Sequence, residues 1–287
     1  TKGSSKHLQL GIFGLPLGAG WHRSLRPQLY GQMEDKGCGK LNVRVRRGFT
    51  LVELLTVITI VAVLAAVLFP ILVNAKKSAK RAQCQSNLRQ IGQAFETYVS
   101  DNGGCYPNTN NQYLWAGANW REQLRRYVVA PAGKTYGMIL TCPNDPTPPG
   151  VYSGTSYAYS ACFYMTPDQV NAVADNNHLR SKYATTNPVL PCTTIKSSLV
   201  RFPTKKVLVA EYWTLHSDKP TVGWYDDPDE AGNDPWSGER NCLLADGHVL
   251  HLSTSKIHPA SSPVVSRPRL LPDINLTRDG VAGKDIK

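Results

Sequence analysis

An acidic run is the first stretch of this sequence whose residue types could do chemistry. The run "DDPDEAGND", at 226–234, places Asp226, Asp227, Asp229 and Asp234 close together. Carboxylate oxygens are the ligands that Ca²⁺ prefers, so the run predicts a calcium loop, and calcium is the one cofactor that the sequence suggests. The spacing is not that of an EF-hand, because no Glu follows at the twelfth position. A solvated acidic loop without an ion is the alternative.

Three histidines and one aspartate could form a hydrolytic or metal site, namely His216, His248, His251 and Asp246. His248 and His251 are three residues apart in a predicted strand, where they would face opposite sides. The sequence also lacks the GxSxG, HExxH, P-loop and GxGxxG motifs. Asp246-Gly247 is typical of a hairpin turn. We therefore predict that the chain is not an enzyme.

Seven cysteines are present, and none of them forms a CxxC pair, which makes a zinc ribbon improbable. Cys38 lies early in the chain, and the other six are widely dispersed. In a segment outside the cytosol, six such residues predict up to three disulfides with 15 possible connectivities. The alternative is that they are small buried apolar residues. The disulfide candidates are Cys84, Cys105, Cys142, Cys162, Cys192 and Cys242.

Glu53 is the one charged residue in an apolar run that extends from Phe49 to Val73. A helix of that length spans roughly 37 Å, enough to cross a ~30 Å hydrocarbon core with tilt. A buried core helix and a cleaved secretory signal are the alternatives, but the run is long for either one. A carboxylate inside a bilayer is costly and usually has a partner and a function. A cut between Gly48 and Phe49 would create an amino group one helical turn from Glu53.

The segment "RRGFTLVELL", at 46–55, closely resembles the processing site of type IV pilins and type II secretion pseudopilins. The resemblance implies that a prepilin peptidase cuts after Gly48 and methylates the amino group of Phe49. It also implies that Glu53 is the carboxylate used in assembly, and that the helix kinks at Pro70. Proline removes one backbone donor and clashes with the preceding turn, which agrees with a kink.

The resemblance further implies an α+β fold, in which a long amino-terminal helix packs on an antiparallel β-sheet head with a loop-rich insert. The partners that it implies are the prepilin peptidase, other pilin or pseudopilin subunits, an inner-membrane assembly platform and the lipid bilayer. The chain would cross the inner membrane once, with a cytoplasmic amino terminus and an extracytoplasmic head, before it enters a filament. Basic residues flank the run almost equally on both sides, so this orientation depends on the resemblance.

The net charge of +11 is concentrated at the amino-terminal end, where residues 1–48 carry +7. Because this charge precedes the apolar run and does not lie on a folded basic face, no nucleic-acid partner is expected. The leader would comprise 1–48, which is long. Translation from a non-AUG codon at Val43 or Val45 would make 1–42 a mis-assigned start.

After the leader, we predict a continuous helix over 49–100 and a head over 101–257. The second half of the helix carries an apolar stripe at spacings of three and four, formed by Cys84, Leu88, Ile91, Phe95 and Tyr98. The segments 205–213 and 241–252 predict strands of one sheet, and the second of them turns at Asp246-Gly247. The aromatic-rich region 106–164 predicts the loop-rich insert. The tail 258–287 is rich in Pro and polar residues, which predicts partial disorder.

The carboxy-terminal segment "NCLLADGHVLHL", at 241–252, is similar to the H-X9-DG element of a branch of large pilin-like proteins. Trp236 occupies the position of that element's first His, so the element is degenerate here. The resemblance implies a subunit of a type II secretion pseudopilus or related filament. The alternatives are a type IV pilus subunit for adhesion or DNA uptake, and a membrane-anchored binding protein that never polymerises.

Overall fold

The structure of the 287-residue chain is a computed structural model. The residues that it describes are 48–108, 119–128, 138–146, 155–172, 192–217, 221, 223, 234, 236–260 and 272–287. The chain divides into two units, 1–54 and 55–287. The predicted α+β fold is confirmed: a long helix is followed by a four-stranded antiparallel sheet.

Helix α1 extends from Leu51 to Asp101 and is close to the predicted helix. It ends where the sequence changes to Asn102-Gly103-Gly104, and both glycines adopt positive φ angles of 64° and 80°. The predicted stripe is confirmed, because Cys84, Leu88, Ile91 and Phe95 are buried. Among the described residues, α1 is the one helix long and apolar enough to cross a membrane. Two short helices follow it, α2 (Asn119–Leu124) and α3 (Pro167–Asn171).

The sheet contains β1 (Tyr157–Tyr159), β2 (Val207–Glu211), β3 (Glu239–Leu244) and β4 (Val249–Ser253), in that spatial order. All neighbouring strands are antiparallel, and a register shift lies between Val207 and Val209 where β2 pairs with β3. The two strand predictions are confirmed, and β3 and β4 form a hairpin. At its turn Gly247 has a φ of 85° and donates its N–H to the Leu244 carbonyl.

One face of the sheet packs on the buried stripe of α1. The apolar cluster on this side includes Leu88, Ile91 and Phe95 from the helix and Val209 and Leu243 from the strands. The helix approaches the sheet closely at Gly92, where a Cβ atom would lie 3.0 Å from Leu243 Cδ1. A larger residue at this position would require the end of the Leu243 side chain to move.

The described part of the aromatic-rich region 106–164 supplies much of this core, and its short elements alternate with segments that lie outside the described residues. Trp120, Tyr159 and Phe163 are buried, and the Phe95 ring lies 5.5 Å from Trp120 and 5.1 Å from Tyr159 between centroids. Short elements such as β1 and α2 hold these rings. Because aromatic side chains bury a large area each, elements of three to six residues are enough to complete the core.

The opposite face of the sheet is covered by residues 272–287, whereas 261–271 of the predicted partly disordered tail lie outside the described residues. Ile274 is fully buried and shares a cluster with Val207, Cys242 and Leu244. The buried Asp285 accepts hydrogen bonds from Lys206 Nζ at 2.8 Å and Val207 N at 2.7 Å, and one from Thr277. Segment 272–287 is ordered because its polar groups bond to the protein interior instead of water.

Candidate functional site

Glu53 lies in the first turn of α1, where it completes a capping box with Thr50. The Glu53 carboxylate accepts hydrogen bonds from Thr50 N at 2.9 Å and Thr50 Oγ1 at 2.8 Å. In return, Thr50 Oγ1 accepts a bond from Glu53 N at 3.2 Å. The sequence analysis missed this pairing, although Thr50-Leu51-Val52-Glu53 has the required spacing. The box fixes the carboxylate at the positive end of the helix dipole.

The predicted processing residues precede this box. Gly48 is exposed, and no atom lies within 4 Å of the position that its Cβ would occupy. The Phe49 side chain is 85% exposed. A peptidase that needs an extended, accessible chain could therefore reach the Gly48–Phe49 bond without unfolding the helix.

The first part of α1 presents apolar side chains on every side. Each large apolar residue from Leu51 to Val73 is at least 40% exposed. Such a surface is far larger than the apolar patches that soluble monomers expose, and it indicates contact with lipid or with other chains. Pro70 lies inside the helix, and it leaves the Ala66 carbonyl without its usual backbone donor. The kink at Pro70 stays a prediction.

A second group of chemically active side chains lies where α1 meets the sheet. Cys84 and Cys142 form a disulfide whose Cα atoms are 5.3 Å apart, which confirms that the chain contains a disulfide. The His216 Nε2 atom lies 3.4 Å from Cys142 Sγ and 3.0 Å from Glu211 Oε1. These four ligand-type residues lie within 4.8 Å of one another, measured between their ligand atoms.

Comparison with known proteins agrees with the geometry of the amino-terminal segment. The family described as "Prokaryotic N-terminal methylation motif" matches residues 43–69. The chain is 30% identical to the type II secretion system core protein G of Pectobacterium carotovorum over 122 residues, which cover 40% of this chain and 73% of that protein. It is 32% identical to the type IV wide pilus major component PilA4 of Thermus thermophilus over 127 residues, covering 44% and 86%.

The chain belongs to the type IV pilin and type II secretion pseudopilin family. The type II secretion system core protein G of Escherichia coli is another relative, 38% identical over 105 residues that cover 33% of this chain and 72% of that protein. No solved structure matches the chain. The pilin-like layout of helix and sheet and the methylation motif therefore agree, and the apolar helix fits membrane anchoring.

Three of the disulfide candidates in this pilin-family chain, Cys105, Cys162 and Cys242, are free thiols. Cys105 and Cys192 are half-buried, whereas Cys162 and Cys242 are buried. Burial raises the pKa of both buried thiols, so they stay protonated at neutral pH. The Cys162 thiol donates to the carbonyls of Ile274 and Asn275. For the described residues, one of the three disulfides that the sequence allows is therefore formed.

The predicted calcium loop is largely outside the described residues, because Asp226, Asp227 and Asp229 are not among them. Asp234 is described, and its Oδ1 accepts a hydrogen bond from Trp236 N at 3.1 Å. Calcium binding by this pilin-family head stays a prediction.

The histidines of the pilin-family head lie in separate environments. His248 is exposed and contacts Asp246 at 2.9 Å. His251 Nδ1 lies 3.0 Å from Asn241 Oδ1, and its Nε2 lies 2.9 Å from Glu239 Oε2. The ring centroids of His216 and His251 are 6.3 Å apart. No local pattern indicates that His216 approaches Cys142, because 74 residues separate them.

Proposed function

We propose that this chain is a structural subunit of a type II secretion pseudopilus or related filament. Prepilin peptidase cuts it after Gly48 and methylates the amino group of Phe49, and the chain acts as a substrate and not as an enzyme. The observation that carries the proposal is the apolar segment Leu51–Val73, whose large side chains are all exposed and whose first turn holds the Glu53 carboxylate in a capping box. The similarity to core protein G supports the same function.

The apolar segment has two successive environments in this proposal. Before assembly it lies in the inner membrane, where its exposed side chains contact lipid. During assembly it leaves the membrane and packs against the same segments of other subunits, because only a bundle of such helices keeps this surface from water. The assembly platform of the inner membrane is the partner that this transfer requires. The head lies on the extracytoplasmic side, and the amino terminus is cytoplasmic.

Glu53 has two roles that one pair of variants separates. The capping box needs only a hydrogen-bond acceptor, which Gln also supplies, whereas pairing with the methylated amine of Phe49 needs a negative charge. Glu53→Gln should therefore keep the helix start and lose the ion pair. Glu53→Ala should lose both.

The experiment expresses the wild type, Glu53→Gln and Glu53→Ala in a native host that lacks its own copy. Intact mass and amino-terminal sequencing report cleavage and methylation, and sedimentation of sheared filaments reports assembly. We expect N-methyl-Phe49 in all three proteins, and filaments from the wild type alone. The matched control is Glu122→Gln, since Glu122 is an exposed carboxylate of the head.

Two results would contradict the proposal. A wild-type chain that keeps its leader would exclude processing, and normal filament yield from Glu53→Gln would exclude charge pairing as the basis of assembly. Filaments that reach the cell surface and mediate adhesion or DNA uptake would favour a type IV pilus subunit. The similarity to PilA4, which covers 86% of that protein, is the observation behind this second candidate.

A further inference from the structure

We propose that the reduced head binds one zinc ion through Cys84, Cys142, His216 and Glu211, and that the disulfide and the zinc site exclude each other. The ligand atoms lie within 4.8 Å of one another, and the residues are buried or half-buried. Two sulfurs, one imidazole nitrogen and one carboxylate oxygen form a ligand set typical of tetrahedral Zn²⁺. This inference does not depend on the proposed function in a filament.

Two buried groups that can bind a metal ion lie beside the sulfur atoms of this disulfide. The side chain of Glu211 is fully buried, and that of His216 is 2% exposed. In the disulfide form these two groups bond to each other, with His216 Nε2 lying 3.0 Å from Glu211 Oε1. In the reduced form both can bond directly to a metal ion, because imidazole nitrogen and carboxylate oxygen are zinc ligands.

The four residues come from separate parts of the head, and two of the distances already fit a zinc site. Cys84 lies on α1, Cys142 lies in a loop, Glu211 ends β2 and His216 follows it. In a tetrahedral site with Zn–S near 2.3 Å and Zn–N near 2.0 Å, neighbouring ligand atoms lie roughly 3 to 4 Å apart. The His216 Nε2 distances of 3.4 Å to Cys142 and 3.0 Å to Glu211 fall in that range. The two sulfurs must separate to reach that range.

Hydrogen bonds from the surrounding residues already orient the proposed ligands. Glu211 Oε2 accepts from Asn241 N at 2.8 Å, and Oε1 accepts from Asn241 Nδ2 at 2.9 Å. The other nitrogen of His216, Nδ1, lies 3.2 Å from the side chain of Asn144. Zinc at Nε2 places the ring proton on Nδ1, so the Asn144 amide must then turn its oxygen toward the ring.

A cavity and two basic side chains lie beside the proposed site. The cavity has a volume of about 650 Å³ and is lined by His216, by Asn144 and by residues from the middle of α1. Lys77 and Arg81 line the same cavity. Two thiolates and one carboxylate around Zn²⁺ leave a single net negative charge, which these two cations offset.

The reduced chain can be converted either to the zinc form or to the disulfide form. Zinc binding displaces one proton from each thiol and forms two Zn–S bonds. Formation of the Cys84–Cys142 bond removes two electrons and two protons, which a disulfide-carrying oxidant takes up as its own disulfide is reduced to two thiols. A subunit that meets zinc before the oxidant would hold the metal, and one that meets the oxidant first would hold the disulfide.

The test uses the full chain in detergent, prepared in two states. One sample is reduced with a phosphine, and the other is oxidised with a small disulfide. Each is equilibrated with Zn²⁺ alone and desalted, and zinc per chain is measured by elemental mass spectrometry. We expect about one zinc per reduced chain and almost none per oxidised chain. Co²⁺ in the reduced chain should give thiolate charge-transfer and tetrahedral d–d bands.

Variants separate the proposed site from adventitious thiol binding. His216→Ala and Glu211→Gln leave both sulfurs in place, and each should weaken zinc binding by at least the roughly 100-fold that the loss of a supporting hydrogen bond can cost. His248→Ala is the matched control, because this exposed histidine lies outside the cluster and contacts Asp246 instead. It should bind zinc like the wild type.

The proposal is overturned if the reduced wild type holds no more zinc than the oxidised chain. Equal zinc affinity of His216→Ala and the wild type would overturn it too. A thiol count on each oxidised variant guards against misfolding, since formation of the Cys84–Cys142 bond shows that α1 is docked on the head.

Discussion

The buried ion pair between Lys206 and Asp285 should be the most sensitive electrostatic contact in the head. Both side chains have no exposed surface, and Lys206 Nζ lies 2.8 Å from Asp285 Oδ1. Burial by itself lowers the pKa of Lys206, but the Asp285 carboxylate opposes this and leaves the pKa above its ordinary value. The stability that this shift supplies is present at neutral pH and is lost only as the pH rises above about 10.4.

Asp285→Asn keeps the size of the side chain and removes its charge. The Lys206 ammonium then remains buried without an anion, which typically costs about 3–5 kcal/mol. For a chain of this size, that loss lowers the melting temperature by roughly 6–20 °C. The assay is urea unfolding of the full chain in detergent, followed by tryptophan fluorescence. Glu122→Gln removes an exposed carboxylate instead, and it should change the free energy of unfolding by less than about 0.5 kcal/mol.

A double variant tests the reasoning itself. Lys206→Met combined with Asp285→Asn removes the buried cation as well as its partner, so the double variant should be more stable than Asp285→Asn alone. A fall of less than about 1 kcal/mol in the free energy of unfolding of Asp285→Asn would contradict the predicted cost of an unpaired buried ammonium. A double variant that is no more stable than Asp285→Asn would contradict it as well.

Three other predictions concern separate parts of the head. Gly238→Ala should lower the free energy of unfolding by about 1–3 kcal/mol in the same urea assay, because Gly238 has a φ of 81° and a Cβ there would lie 2.7 Å from Thr214 Cγ2. Burial raises the pKa of Tyr106 to about 12. Because the unfolded chain ionises this residue near pH 10, the wild type should lose stability from about pH 10 to 12. Absorbance titrations of the wild type and of Tyr106→Phe should differ by one tyrosine that ionises late. Reduction of the Cys84–Cys142 bond without zinc should lower the free energy of unfolding by about 4 kcal/mol, because the bond closes a loop of 58 residues in the unfolded chain. Unfolding curves recorded with and without reductant measure this difference.

Features with a regular local pattern could be predicted from the sequence. The buried stripe of α1 follows from apolar residues at helical spacing, and the β3–β4 hairpin follows from apolar runs on both sides of Asp246-Gly247. Glu53 stood out because it is a charge in an apolar run. Its capping partner Thr50 is equally predictable, because a Thr three residues before a Glu at a helix start is the pattern of a capping box.

Features that depend on long-range contacts could not be predicted. The end of the chain is polar in composition, yet Asn275 and Asp285 are buried because distant backbone and side-chain groups bond to them. Composition shows polarity and cannot show which polar groups find partners inside the protein. The position of His216 beside Cys142 has the same origin, since it depends on the docking of a loop against β2.

Residues 272–287 pack on the second face of the sheet, so the sheet cannot be completed until the end of the chain has been exported. In the proposed orientation, the chain passes outward from α1 toward its last residues. Strand β2 then emerges well before Asp285, which is 79 positions after Lys206. Until that carboxylate arrives, the strand holds an unpaired ammonium and one uncovered apolar face. The head should therefore reach its native state late, and a periplasmic chaperone or protease would meet an incomplete sheet during that interval.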